Sequence, residues 1–561
     1  MAKPENTKQS LVEALGIETE PDWGPARHVL RGLGVLLVGI YILAVIVAVM
    51  VLVQVADGNG ASLGAGALVV ALISSPFLIW NTIIRQTTLN FQKEGHLTDR
   101  LAKAVEQLGA EKTVKKIVEG VTQETSEPNL EVRMGGLLSL ERIAQDSTAY
   151  DKGRDHVRVM EIICAYIRNN APASMAKDFP LGDLEPLEEG ATDEQREAYL
   201  RQIEAREHER EDWLTTVNKP REDIMLALTI LERRSDKQRR IEAAHGQDGV
   251  TEAEWIFATP APELPEPPVD EAHLRDAVAD LRRGLSAWRN ALSSYGGYRP
   301  DLRDTCLQKL DLSDFRLQGV RLERARLEGA NLMEARLEGA DLMEARLEGA
   351  DLMEARLEGA VLEGARLEGA DLMEARLQGA VLEEARLEGA DLMEARLEGA
   401  VLWRARLQGA VLREARLEGA RLQGARLQGA VLMEARLQGA VLMAARLQGA
   451  HLEGARLEGA NLMEARLQGA DLEEARLDRS TDLRGADFSG SPLRSVDLST
   501  VRISQDQVNA SFGDGSVTLP PTIDRPAHWP EGKLHPREFY RQWRLWQSGP
   551  ASDTPPPKPD P

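Results

Sequence analysis

Residues 335–344 read Ala-Arg-Leu-Glu-Gly-Ala-Asp-Leu-Met-Glu, and variants of this ten-residue phrase fill the middle of the chain. A leucine falls on every fifth residue from Leu302 to Leu477 without interruption, 36 leucines in all. A period of five fits neither an amphipathic helix nor an alternating strand. It requires a chain that turns a corner every five residues, so the sequence predicts a repeat fold.

Each five-residue unit runs small, polar, leucine, polar, and then glycine or glutamate. Because short strands place alternate residues on opposite faces, the leucine and the alanine two before it are predicted to point inward. The residues on either side of the leucine then point outward. Glycine in the fifth place suits a corner with positive φ. After Leu477 the next anchors, Leu483 and Phe488, are one residue out of phase, which predicts a one-residue bulge.

The units Ala330-Asn331-Leu332 and Ala340-Asp341-Leu342 match the A-(D/N)-L-x-x pattern of the pentapeptide-repeat family, which residues 296–510 closely resemble. The resemblance implies a right-handed quadrilateral β-helix with four units, or twenty residues, per coil and about ten coils. Arginine takes the Asp/Asn place in every second unit. The outward chemistry of the family pattern therefore cannot be transferred to this chain.

Two apolar stretches near the N-terminus predict a two-helix transmembrane hairpin over 33–86, following a cytoplasmic tail over 1–32. Residues 33–56 carry no charge and are long enough to cross a bilayer, and residues 65–84 form the second stretch. Positive charge on both outer flanks predicts that both termini are cytoplasmic, at the inner (cytoplasmic) membrane of a bacterium. A buried helical hairpin in a soluble core is the alternative.

The remaining chain is predicted to contain a small α-helical region and two end pieces. The phrase NLEVRMGGLLSLERIAQDS, which begins at Asn129, resembles bacterial membrane-anchored pentapeptide-repeat proteins. Thr192 and Gln195 form a capping box that opens a charged helix. We expect the following segments: a helical domain over 87–171, a charged helical connector over 172–258, a Pro-rich linker and capping helix over 259–295, and a C-terminal cap and tail over 511–561.

Composition argues against several classes of function. The net charge of −22 and the pI near 5.1 disfavour nucleic-acid binding through a basic surface. The only cysteines, Cys164 and Cys306, match no zinc or redox spacing and are predicted to be free thiols. No catalytic set, phosphate loop or metal cluster is recognisable, so we expect no enzyme, cofactor or metal. An enzyme within residues 90–240 is the weakest alternative.

Residues twenty apart should stack, so each outer face carries columns of side chains. In the column through Leu327, arginine precedes the leucine at every level. The residue after the leucine is glutamate up to Glu388 and glutamine from Gln408 onward. The arginines beside glutamine are predicted to form an anion-attracting stripe, with neutral drift between duplicated repeats as the alternative. This stripe comprises Arg406, Arg426, Arg446 and Arg466.

Outward apolar columns predict a second contact surface. Methionine recurs after leucine in the Leu332 column, framed by acidic residues, and a polarisable methionine rib is an adaptable contact surface. Trp403 adds an aromatic side chain to the Leu342 column beside outward valines. Copying of one decapeptide is the alternative explanation. The methionine rib consists of Met333, Met353, Met373 and Met393.

These features together predict a non-enzymatic, membrane-tethered protein-interaction scaffold that presents a rigid rod in the cytoplasm. Its predicted partners are the lipid bilayer, through the hairpin, and an unidentified protein, with a second copy of the chain as another candidate. The family resemblance implies one alternative, a DNA mimic that binds a type II topoisomerase such as DNA gyrase. Arginine in every decapeptide argues against that alternative.

Overall fold

The computed structural model describes residues 99–118, 121–150, 152–179, 192–247, 250–264 and 271–548, together with Ile46 and Met50. The chain divides into two compact units, Met1–Glu106 and Gln107–Pro561. The predicted hairpin over 33–86 lies outside the described residues except for Ile46 and Met50, which are helical. Among the residues described, no helix is both long and apolar enough to cross a membrane.

The second unit begins with a β-hairpin and a group of helices. The antiparallel pair β1 and β2 is a correction to the all-helical prediction for this region, because residues 111–128 are rich in β-branched side chains, which favour strands. Its regular elements are β1 (Glu111–Val118), β2 (Val121–Pro128), α1 (Leu130–Tyr150), α2 (His156–Asn170), α3 (Asp193–Thr215), α4 (Glu222–Glu232), α5 (Asp236–Ala244) and α6 (Glu271–Ser293).

The helices α1, α2, α4 and α5 pack into one body that closes the start of the repeat domain. A buried network ties three segments together, since Glu242 accepts a hydrogen bond from Arg234 and lies 2.9 Å from a ring nitrogen of His156. Beyond α2 the backbone pairs with the first coil, because the amide of Cys306 donates to the carbonyl of Ala171 at 2.7 Å. This helical body therefore covers the exposed end that a solenoid must protect.

The repeat domain is a stack of four-sided coils, as predicted. Parallel bridges join residues twenty apart, from Asp301–Arg321 through Arg456–Arg476. Next, Asn461 pairs with Asp482 and Arg466 with Asp487, an offset of 21 residues. The one-residue slip predicted after Leu477 is therefore present. The leucines and their partner alanines are buried throughout the stack, which makes them a continuous core.

Four faces and four corners follow from this register. We name the faces by their leucines: face A contains Leu342, face B Leu347, face C Leu352 and face D Leu357, with members repeating every twenty residues. Corners AB, BC, CD and DA follow the faces in that order. Corners BC and DA, which are diagonally opposite, carry glycine at almost every level, whereas corner CD carries mainly glutamate.

Helices α3 and α6 lie lengthwise along the two glycine corners. Along corner BC, Leu200 is beside Gly429, Ile203 beside Gly389 and Leu214 beside Gly329. Along corner DA the contacts come from Phe257 and from successive turns of α6. These pairs are Val278 with Gly439, Leu285 with Gly399, Trp288 with Gly359, and Phe257 with Gly339.

The match between helix and rod has a simple geometric cause. A helix advances about 5.4 Å per turn, while stacked strands repeat at about 4.8 Å. One helical turn therefore corresponds to about one coil, and residues three or four apart on α3 or α6 meet the same corner on successive coils. Packing, not backbone conformation, selects glycine here, because Glu354 at corner CD has nearly the same positive φ (56°) as Gly349 (63°).

The sequence predicts one cover at each end of the rod. We expected the helix within 259–295 to close the start of the rod, but α6 lies along its side, since its apolar positions match the glycine column. The far end carries β3 (Pro492–Leu493), α7 (Gln505–Asn509), β4 (Phe512–Gly513) and α8 (Pro536–Ser548). There Phe512 packs against Phe539 and Trp546, with ring centroids 5.4 and 5.7 Å apart.

Candidate interaction surfaces

Faces B and D form a largely buried ladder of charge. The side chain after each leucine was expected to face solvent, but Glu328 is 0% exposed and Glu358 1%, because stacked neighbours and the corner helices cover them. On the coils where glutamate follows the leucine, arginines reach a glutamate on their own strand or one coil below it. Arg346, for example, lies 3.0 Å from Glu348 and 3.2 Å from Glu328. These two faces therefore neutralise most of their own charge.

Burial makes this ladder sensitive to pH. Desolvation, assisted by the neighbouring Glu348 carboxylate, raises the pKa of Glu368 to about 7. A carboxyl group whose pKa is higher in the folded than in the unfolded state holds its proton longer when folded. Its contribution to stability is therefore full below the unfolded pKa of about 4.3 and is lost as pH rises towards 7.

We expect Glu368→Gln to remove this component of the pH dependence. The unfolding free energy, measured by chemical denaturation at pH 5 and at pH 7.5, should fall less between the two pH values in the variant than in the unmodified chain. The two decreases should differ by at most about 3 kcal/mol. Glu374→Gln, at the exposed corner CD, is the matched control and should leave the slope unchanged. Equal slopes for the Glu368→Gln variant and the unmodified chain would contradict the assignment.

The methionine rib lies on face C and is partly exposed. Met333, Met353, Met373 and Met393 stack on successive coils, each half-buried by its neighbours. The preceding Asp or Asn does not simply face solvent: Asp351, for example, accepts a hydrogen bond from the amide of Met353 at 3.1 Å. Exposed glutamates line the adjoining corner CD. Face C thus presents a strip of methionines between a column of partly buried Asp and Asn side chains and the exposed glutamates of corner CD.

Trp403 lies apart from the methionine rib, on face A. The guanidinium carbon of Arg404 lies 4.2 Å from the Trp403 ring centroid, a cation–π arrangement that holds the indole against the rod. Val401, predicted to face outward, is only 7% exposed. The structure therefore does not join the predicted face A residues and the methionine rib into one surface.

The predicted arginine stripe lies in an open groove along face B and corner AB. Arg406 pairs with Glu388 at 2.6 Å and contacts the Tyr199 hydroxyl at 3.4 Å. Burial, together with the charges of Arg446 and Arg406, lowers the pKa of Arg426. The groove has a volume of about 680 Å³. Its lining residues are Glu384, Arg386, Arg404, Arg406, Gly424, Arg426, Ala444, Arg446, Glu464 and Arg466.

Two carboxylates outside the repeats were not recognised from sequence. Asp178 lies 2.9 Å from Arg326 and 3.4 Å from Arg346. Glu263 likewise lies 2.8 Å from Arg376 and 3.3 Å from Arg396. Each carboxylate bridges arginines on successive coils. No sequence signal marked them, because both belong to loops whose course depends on where α3 and α6 lie.

The part of the chain that the structure describes contains no group of three or more His, Cys, Asp or Glu side chains that could hold a metal ion. Cys164 is buried and Cys306 is partly buried, and both are free. Burial raises the pKa of the Cys164 thiol to about 11, so it is protonated at neutral pH.

Comparison with known proteins identifies the repeat family. The sequence model of pentapeptide repeats matches eight copies, over residues 311–349, 350–389, 390–429, 412–444 and 440–479. A solved structure of HetL, a pentapeptide repeat protein involved in heterocyst differentiation regulation from the cyanobacterium Nostoc sp. strain PCC 7120, is 35% identical. The match covers 36% of this chain and 94% of HetL, with a TM-score of 0.29.

Other solved structures are similar over shorter stretches or at lower identity. Rfr23, a pentapeptide repeat protein from the cyanobacterium Cyanothece 51142, is 34% identical over 20% of this chain and 63% of its own, with a TM-score of 0.13. QnrB1, a plasmid-mediated fluoroquinolone resistance protein, is 18% identical over 39% of this chain and 91% of its own, with a TM-score of 0.18. Curated protein sequences give no match.

The chain belongs to the pentapeptide-repeat family. The repeat match and the 35% sequence identity to HetL, which is covered almost end to end, establish this membership. The four-sided coil itself is defined by the parallel bridges between residues twenty apart in this chain.

Proposed function

We propose that the chain is a non-enzymatic, membrane-tethered protein-interaction scaffold. One observation carries the proposal: the rod occupies two diagonal corners with its own helices and leaves the methionine rib of face C uncovered by them. A stacked methionine column offers a partner a contact surface that adapts in shape. The acidic border at corner CD favours a partner with an apolar centre and basic edges.

The membrane part of the proposal rests on sequence. The uncharged stretch over 33–56 and its companion over 65–84 supply two spans, with positive flanks that place both termini in the cytoplasm. The rod would then stand at the inner (cytoplasmic) membrane of a bacterium. A reporter fused to the C-terminus should be active on the cytoplasmic side, and a periplasmic reporter would contradict this topology.

We expect the triple variant Met353→Glu/Met373→Glu/Met393→Glu to lose its protein partner. Carboxylates on the rib would bring charge into a contact that buries apolar side chains, which costs more than the lost contacts alone. The measurement is affinity capture of the full-length chain from detergent-solubilised membranes, with co-purifying proteins quantified against the unmodified chain.

A matched control is available on face A. Met343→Glu/Met443→Glu/Met463→Glu makes the same chemical change at equivalent positions of another face. The proposal requires a partner that the control retains and the face C variant loses. Equal retention by both variants, or equal loss, would exclude face C as the recruiting surface.

The second candidate function is a DNA mimic that binds a type II topoisomerase. The observation in its favour is the exposed row of glutamates at corner CD, which recurs from Glu334 to Glu394 at every level and adds negative charge along the rod. Inhibition of gyrase supercoiling by the purified chain, relieved by replacing this row with glutamine, would support the mimic. Unchanged supercoiling would leave the scaffold as the remaining function.

A further inference from the structure

The arginine groove differs from the rest of face B in its acidic rungs. In the first half of the face, Glu328, Glu348, Glu368 and Glu388 stand between the arginines. Beyond them stand glutamines, and Gln408 is fully buried with neither amide atom hydrogen-bonded to any described residue. Six arginines and two glutamates line the groove. Positive charge therefore exceeds negative charge there, in a molecule whose net charge is −22.

One guanidinium in the groove is incompletely satisfied. The Nη1 atom of Arg426 is buried, and no hydrogen-bond partner for it lies among the described residues. A buried donor without an acceptor is costly, so the site favours an added acceptor. Arg406 and Arg446 on the adjoining coils increase the attraction for a negative charge at this level.

The same molecule shows how its arginine columns accommodate additional carboxylates. Asp178 bridges two successive arginines of face B, and Glu263 bridges two successive arginines of face D. Both carboxylates come from polypeptide segments laid against the rod, not from the coils. The repeated arrangement is one carboxylate for each pair of arginines twenty residues apart.

We propose that the groove binds an acidic peptide segment of a partner protein, extended along the rod. This rests on the proposed scaffold function and names the chemistry recognised at a second surface. One carboxylate sits between Arg406 and Arg426, and a second between Arg446 and Arg466. These two positions are two coils, or about 9.6 Å, apart. Three residues in polyproline II conformation span about 9.3 Å and complete one turn, which returns the side chain to the same face. The fitting peptide therefore adopts this conformation and carries an acidic residue at every third position.

The test restores the missing acidic rungs. Gln408→Glu/Gln428→Glu reproduces the arrangement already present at Glu388, so the rod should fold, and the two new carboxylates should compete with the peptide for the guanidinium groups of the groove. The matched control, Gln378→Glu/Gln438→Glu, adds the same charge on face D. Binding of a fluorescent peptide with glutamate at every third position is measured by anisotropy on the full-length chain in detergent micelles.

We expect the groove variant to bind the peptide about tenfold more weakly, which is about 1.4 kcal/mol, and the control to bind it within about twofold. Arg426→Glu should weaken binding at least as much, with the circular dichroism spectrum unchanged. Three results would overturn the proposal: no binding by the unmodified chain, equal weakening by groove variant and control, or binding of inorganic polyphosphate in place of the peptide. The methionine variants keep their peptide affinity, so failure here is distinguishable from failure of the scaffold function.

Discussion

Replacing Gly359 by alanine is expected to detach the C-terminal part of α6 from the rod. A Cβ atom at this position would lie 2.6 Å from Trp288 and 2.7 Å from Leu292, closer than real Cβ contacts allow. Overpacking of this kind costs about 1–3 kcal/mol, in addition to about 1–2 kcal/mol for a non-glycine residue with positive φ. Hydrogen exchange across residues 271–293 should therefore become faster.

The control for this prediction lies five residues away. Gly364 has φ of 63°, against 64° for Gly359, but a Cβ atom there would have Glu344 at 3.7 Å as its nearest neighbour. Gly364→Ala carries the same conformational cost without the clash, so exchange in α6 should match that of the unmodified chain. Similar exchange rates in the two variants would show that the glycine corner does not hold the helix.

Phe257→Ala is expected to be the more destabilising change. Phe257 is 1% exposed, fills the space over Gly319 and Gly339, and packs against Trp255 and Tyr295 with ring centroids 5.0 and 4.9 Å away. Truncation of a buried phenylalanine costs about 3–5 kcal/mol. Thermal unfolding followed by circular dichroism should show a lower midpoint, with α6 losing exchange protection first.

Tyr150→Ala serves as the comparison for this truncation. Tyr150 is also a large aromatic residue, but it is 85% exposed, so its removal should change the unfolding free energy by no more than about 0.5 kcal/mol. If both truncations had the same small effect, Phe257 would not anchor the linker and α6 to the rod.

The repeat fold was predictable because one strict period determines it. Thirty-six leucines in phase permit only a coil that turns every five residues, and even the slip after Leu477 was visible as a phase change. The hairpin over 111–128 was missed because neighbouring helical patterns dominated that region. Its high content of β-branched residues was the available signal.

The corner helices were harder to foresee because their partners are far away in sequence. Glycine and glutamate alternate at the corners although both have a similar positive φ there, so backbone conformation alone does not explain the alternation. The glycine corners were therefore a signal that something packs closely against them. The matching signal was the apolar spacing Leu200, Ile203, Leu214, obscured by surrounding charge. Neither pattern predicts the docking alone. It follows only when the helical pitch is compared with the coil spacing.

The candidate surfaces were predictable as columns but not as environments. The methionine rib and the arginine stripe stack as the twenty-residue register requires. Their exposure depends on which corners the helices occupy, so sequence could not separate the buried ladder of face B from its open distal groove. Trp403 was predicted to belong to the same apolar surface as the methionine rib, but it lies on face A, where Arg404 packs over its ring.

The most direct test of the scaffold function is site-specific photo-crosslinking in living cells from face C. A photoreactive residue at Met373 should form an adduct with another protein, and Met353→Glu/Met393→Glu in the same chain should abolish it. The same photoreactive residue at Met463 on face A should give no such adduct. An identical adduct from both positions, or none from Met373, would contradict recruitment through the methionine rib.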